Sequence, residues 1–226
     1  MSQLRVLDDG LWCVDHEFMK GGMQLGLRTT VARLPDGRLW VHSPGPLDQQ
    51  AIAEIDAVGE VAALVAPNAF HHLFVGPAKE AWPSARIFGP AVLASKKTNF
   101  TLDEALTDVA PDLWQGAIEA LPMHGLRQLD EWVFYHRASR TLLLTDLAFH
   151  ICDSPHWFTR FFMTVNGKYN AFGPSRIFRL FVQDKALLRA SLDRLMAWDF
   201  DRVTVTHGRV LETGGKEAMQ REYAWV

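Results

Sequence analysis

Runs of apolar residues along this chain alternate between strand spacing and helix spacing. Residues 11–18 are rich in strand formers and follow the turn Asp8-Asp9-Gly10. Residues 23–34 read as a second strand. Pro35-Asp36-Gly37 then turns the chain into Leu39–His42, which predicts an antiparallel meander. Ser43-Pro44-Gly45-Pro46 breaks the pattern. Asp48 caps a predicted helix over 49–58, with Ala51, Ile52 and Ile55 on one face. Residues 61–66 form a continuous apolar run of strand length, as expected of a strand buried on both faces. A short helix over 74–82 and a strand at Arg86–Gly89 follow, whereas 102–114 fits helix and loop equally. Further strands are predicted at 118–121, Trp132–His136, 141–145 and 202–206. Helices are predicted over 185–198, capped by Asp184 with Leu188, Leu192 and Leu195 in one stripe, and over 216–225.

Residues 155–181 stand apart. Trp157, Phe158, Phe161, Phe162, Tyr169, Phe172, Phe178 and Phe181 interleave there with Arg160, Lys168, Arg176 and Arg179. Such a stretch reads as a helical excursion packed on the core, or as a lid or an interface for a second copy or a membrane surface. No repeat or linker divides residues 1–226, so one domain is expected. Antiparallel strands, then strand–helix units, suggest an α/β (α+β) sandwich flanked by helices.

Composition narrows the function classes. Hydrophobic residues make up 48% and charged residues 22%, which excludes a disordered chain. With 23 basic against 26 acidic residues the net charge is −3, so no basic surplus exists to neutralise nucleic acid. Cys13 and Cys152 have no metal-ligand spacing and fit buried thiols in a reducing compartment. The first ten residues lack a secretory apolar stretch, and no run approaches the ~18 residues of an integral membrane segment. The cytoplasm is the expected location.

Three predicted strands end in metal-capable side chains. Pro67-Asn68-Ala69-Phe70-His71-His72 follows the first, Asp146 the second, and His207-Gly208 the third. Ends of neighbouring strands lie side by side, and imidazole with carboxylate suits zinc or non-haem iron. The competing reading of each histidine is a hydrogen-bonded one with no ligand.

The order strand–His-His, strand–Asp, strand–His-Gly resembles the metallo-β-lactamase fold superfamily, which implies a four-layer αββα architecture. Against that family's His-x-His-x-Asp-His motif, Pro67 and Ala69 fall on the first two histidines, His71 on the aspartate and His72 on the last histidine. Asp146 falls on the bridging aspartate, His207 on the final histidine, and His124 near the histidine of Gly-His-Thr-Pro-Gly. The chain more closely resembles a divergent branch known as a domain of unknown function. That likeness is carried by Pro67-Asn68, His71-His72-Leu73-Phe74, Ser139-Arg140-Thr141-Leu142, Thr145-Asp146-Leu147 and Trp198-Asp199-Phe200-Asp201-Arg202-Val203.

The resemblance implies a degraded, mononuclear site. Pro67 and Ala69 cannot ligate, so the first metal position is expected to be empty. His72, Asp146 and His207 would hold one zinc ion, or iron, with His71 as fourth ligand or beside the site. His71 and Asp146 are the catalytic candidates, His71 either as base or as a residue merely bonded to backbone. Asn68, His42 and His124 are candidates to orient ligands, and His150 and His156 lie within reach of a pocket. The implied activity is metal-dependent hydrolysis of an ester, thioester, amide or phosphodiester bond in a small-molecule substrate. Iron redox chemistry and a non-catalytic binding module on the same fold are the alternatives, and 155–181 could join two copies.

Overall fold

The computed structural model describes residues 3–226. Its strands are β1 (Leu4–Asp8), β2 (Leu11–His16), β3 (Met19–Lys20), β4 (Met23–Gln24), β5 (Leu27–Arg33), β6 (Leu39–His42), β7 (Val61–Val65), β8 (Arg86–Gly89), β9 (Glu104–Ala105), β10 (Ile118–Pro122), β11 (Trp132–His136), β12 (Thr141–Leu144) and β13 (Arg202–Val205). Its helices are α1 (Gln49–Asp56), α2 (Val75–Ala81), α3 (Trp157–Val165), α4 (Lys185–Met196) and α5 (Gly215–Glu222). One sheet has the order β1-β2-β5-β6-β7-β8-β9, antiparallel up to β6 and parallel from β6 onward. The other runs β10-β11-β12-β13 and is parallel between β12 and β13. The pair β3–β4 forms a separate ribbon.

Side-chain alternation sorts the core into layers. Trp132 and Phe134 of β11 join Trp40, Ala63, Val65, Phe88 and Trp114 between the sheets. Val133 and Tyr135 instead pack under Leu188, Leu192 and Leu195 of α4 and Met219 of α5. Ala51 and Ile55 of α1 and Val75 and Ala78 of α2 cover the outer face of the first sheet. The result is the αββα sandwich. A bulge explains one irregularity: Leu39 pairs with Val61 and Trp40 with Ala63, so Ala62 is passed over, and Val61 and Leu64 share the outer face despite their odd spacing.

The inter-sheet layer is dense in rings. Phe88 meets Trp114 at 4.4 Å between centroids, and Trp40 meets Phe134 at 5.2 Å. Each fully buried side chain of this size stabilises by roughly 1.5–3 kcal/mol, against about 0–1 kcal/mol for an exposed ion pair. Packing therefore fixes how the sheets face, and the surface charges follow. Asp48 and Asp184 cap α1 and α4 by accepting from the backbone N–H groups of Ala51 and Leu187.

Several expectations need correction. β1 was not expected. It is an edge strand with both faces partly in water, so it carries no apolar alternation. The strand expected over 23–34 is broken at Leu25 and Gly26, whose N–H groups both turn back to the Phe18 carbonyl. Residues 102–114 hold only the two-residue β9 and turns. Residues 155–181 comprise α3, irregular chain and a 3-10 turn at Ile177–Phe181. Among the described residues, no helix is long and apolar enough to cross a membrane.

Burial also sets an acid sensitivity. It lowers the His16 imidazole to about 4, against the opposing pull of Asp15 and Asp48. It lowers His42 to about 3, aided by His71. Both rings are neutral in the fold and protonate more readily once unfolded, so their stabilisation is complete above about pH 6.5 and is lost as pH falls from there toward 4. Urea midpoints measured from pH 7.5 down to 4.5 should fall steadily below pH 6.5, with a shallower fall in His16→Gln. A flat profile would contradict this reading.

Candidate metal centre

Parallel pairing brings the chemistry together. β6 pairs with β7 and β12 with β13, so the carboxyl ends of each pair lie side by side, and the loops leaving them meet across the sandwich. Such ends are where open α/β sheets place their ligands. His71 comes from the loop after β7, Asp146 follows β12, and His207 follows β13. One ligand atom from each lies within 4.8 Å of the others. His71 Nε2 is 3.2 Å from His207 Nε2 and 3.5 Å from Asp146 Oδ2, and His207 Nε2 is 3.7 Å from Asp146 Oδ1.

Each imidazole is oriented from behind. His207 Nδ1 lies 2.7 Å from the Gly26 carbonyl oxygen. A carbonyl only accepts, so Nδ1 carries the proton and Nε2 turns its lone pair into the cluster. Phe149 stacks on the ring at 5.5 Å and 8°. Gly208 follows with φ +116°, and a Cβ there would sit 2.2 Å from the His150 carbonyl oxygen, so no other residue fits. His71 Nδ1 meets Ser43 Oγ at 3.1 Å. Ser43 has φ 49°, a strained left-handed conformation costing on the order of 1–3 kcal/mol, held by its N–H bond to the Val65 carbonyl.

Asn68 ties the acidic side together. Its Nδ2 donates to Glu131 Oε2 at 2.6 Å and to Asp146 Oδ2 at 2.8 Å. Its Oδ1 accepts the backbone N–H groups of Phe70 and His71. Glu131 Oε1 accepts the Asp146 backbone N–H at 3.0 Å. Burial, then the Asp146 charge, raises the Glu131 carboxyl to about 8, against the opposing bonds from Asn68 and the Asp146 and Leu147 backbone. Burial would also raise Asp146, but His71, His207 and Asn68 outweigh it and hold that carboxyl below its usual range. The two buried carboxyl groups are thus pushed in opposite directions, Glu131 toward its neutral form and Asp146 toward its ionised form.

His72 was expected among the ligands and is not in the cluster. Residues 71–74 form a turn, where successive side chains diverge by about 100°, so His71 and His72 cannot both point inward. The His72 ring lies beside Phe100, 6.4 Å between centroids. Both nitrogens of His71, the candidate base, are engaged, one by Ser43 and one in the cluster. His124 is exposed, its backbone N–H held by Ser191 Oγ of α4, and it does not reach the centre. His42 is buried between Trp40 and Phe134, and its two nitrogens have no partner among the described residues. It underlies the centre as a neutral ring. His150 bonds the Arg209 carbonyl, and His156 caps α3. Glu131, Ser43 and Gly26 were not anticipated. Only Ser43 carried a signal, its place directly after a strand-end histidine.

The cluster opens into a cavity of about 240 Å³. Phe18, Leu25, Phe74, Leu129, Phe178 and Phe181 wall it, and Lys20 also lines it.

The sequence model of the family described as "Domain of unknown function (DUF4336)" matches residues 8–164. The chain belongs to this family. The chain matches no curated protein. Solved structures share its fold. DIM-1 metallo-beta-lactamase is 12% identical with TM-score 0.68, over 99% of this chain and 97% of that one. The metallo-beta-lactamase from Pontibacter korlensis is 12% identical with TM-score 0.69, over 99% of each chain. The flavodiiron protein from Giardia intestinalis is 13% identical with TM-score 0.69, over 98% of this chain but 58% of that one. At such identities the likeness establishes the fold: this DUF4336 chain is a divergent metallo-β-lactamase-fold protein.

In this DUF4336 protein Asn68 satisfies two carboxyl groups and two backbone N–H groups at once. Asn68→Ala should therefore destabilise by about 1–3 kcal/mol through unpaired buried polar atoms. Chemical denaturation would show it as a lowered midpoint, and an unchanged midpoint would refute the bridging role.

Proposed function

We propose that the chain is a mononuclear metal-dependent hydrolase of a small molecule bearing an apolar acyl group. The observation that carries this is the convergence of His71, Asp146 and His207 on the floor of an aromatic cavity. The donor set fits a metal ion: two imidazole nitrogens and an ionised carboxylate face one point, and the His207 lone pair is fixed by Gly26. His71, Asp146 and His207 would hold one zinc ion, while His72 faces elsewhere. Held there, the ion would supply an acidified water and a Lewis acid for a carbonyl oxygen.

The chain's own residues account for the rest. Asn68 and the two imidazoles favour the ionised form of Asp146, and burial biases Glu131 behind it toward the neutral form. Ser43 and Gly26 hold the rings in place. Phe178 and Phe181 bring the 155–181 stretch to the cavity as part of its wall, which favours an ester, thioester or amide with an apolar acyl part over a phosphodiester. Iron is the rival ion, and the likeness to a flavodiiron protein is the observation in its favour.

Elemental analysis of the purified protein tests this. We expect about one zinc per chain, largely lost in His207→Ala and Asp146→Ala but kept in His72→Ala. Hydrolysis of a nitrophenyl ester of a medium-chain acid should fall with the metal. One iron per chain with oxygen-sensitive colour would move the reading to redox chemistry. No metal after zinc or iron is added back would leave a non-catalytic module on this fold.

A further inference from the structure

The outward face of α3 has no cover among the described residues. Thr159 and Met163 point inward, 0% and 2% exposed. On the opposite side Trp157, Phe161 and Val165, at helical spacing, are 67%, 60% and 53% exposed. Arg176 ties the next turn to the C-terminal end of α3 by donating to the Val165 carbonyl, and in that turn Leu180 is 79% exposed. The β3–β4 ribbon packs on α3 through the Gln24 N–H to Thr159 Oγ1, and Met19 on this ribbon is exposed as well. Ile177 of the same turn and Phe70 and Leu73 across the cavity are exposed residues lining the cavity. Apolar groups thus surround the opening of the cavity and continue onto α3.

Charge identifies the occupant. Residues 154–183 contain Arg160, Lys168, Arg176 and Arg179 and no acidic residue, in a chain whose net charge is −3. Lys168 pairs with Glu222. Arg160 and Arg176 donate to backbone carbonyls and Arg179 lies over the Trp225 ring, so none of these three exposed guanidinium groups meets a carboxylate among the described residues. Exposed aromatic residues beside uncompensated cations match an anionic lipid interface, where rings enter the headgroup level and cations meet lipid phosphates. A second copy fits less well, because a twofold contact would join two faces that each carry these arginines and, within 154–183, no acidic residue to meet them.

We propose that the α3 face and the rim of the cavity dock on an anionic lipid surface, with Trp157, Phe161 and Leu180 entering the headgroup region and Arg160, Arg176 and Arg179 contacting lipid phosphates. This places the opening of the cavity at the bilayer surface. It holds whether or not the cluster below carries a metal.

Flotation with vesicles of phosphatidylcholine, with and without phosphatidylglycerol, tests it on the full chain. The protein should float with the anionic vesicles, less at high salt, and should not float with phosphatidylcholine alone. Phe161→Glu and Arg160→Glu, both at exposed positions, should each weaken binding at least about tenfold while circular dichroism stays unchanged. Three outcomes overturn the proposal: no flotation with anionic vesicles, flotation that neither variant weakens, or equal flotation with phosphatidylcholine. Light scattering that shows a dimer dissolved by Phe161→Glu would instead assign the face to a second copy.

Discussion

Everything at the centre depends on the apolar layer between the two sheets. Trp40, Phe88, Trp114 and Phe134 lock the sheets face to face, so the carboxyl ends of two separate parallel pairs are held at one rim. Arg28 adds a polar tie at that rim. It is buried on β5, pairs with Asp15 at 2.7 Å and donates across to the Val205 carbonyl at 2.8 Å, two residues before His207. Neither sheet alone presents three ligand-type side chains.

The electrostatics of the centre follow from this geometry. Two Nε2 atoms 3.2 Å apart can share a proton or a cation, and the Gly26 carbonyl keeps the His207 proton on Nδ1, away from that contact. Asp146 supplies the compensating negative charge. Glu131 would double that charge if ionised, but burial and the nearness of Asp146 push it toward the neutral form. The Asn68 amide, with all its hydrogen-bonding capacity used, is what lets two carboxyl groups share a buried space.

Much of the fold was legible in the chain because its signals are local. Residues 61–66 are apolar throughout, and the strand there is buried on both faces. Asp48 and Asp184 announced their helices. Elements whose stability comes from neighbours were not legible. β1 gains its place from pairing with β2, and β9 from the sheet edge. The strand-end positions of His71, Asp146 and His207 could be read from spacing. Which of the adjacent histidines turns inward could not, because a one-residue difference in a turn is decided by the Asn68 contacts to Phe70 and His71. Glu131 was hidden for a related reason: an acid beside an aromatic strand looks exposed until its partners, 15 and 63 residues away, are in view.

The stretch that the family model matches ends at residue 164, and that end cuts through the architecture. It contains Asn68, His71, Glu131 and Asp146. It omits β13, so β12 would be left as an open edge with unpaired backbone groups. It also omits α4 and α5, which cover that sheet, and Tyr223, whose hydroxyl donates to the Leu147 carbonyl just past Asp146. The shared stretch is therefore not a folding unit by itself. The carboxylate and one imidazole belong to it, while the second imidazole and the roof above the carboxylate belong to the remainder, so the two parts are bound to each other through the centre they jointly build.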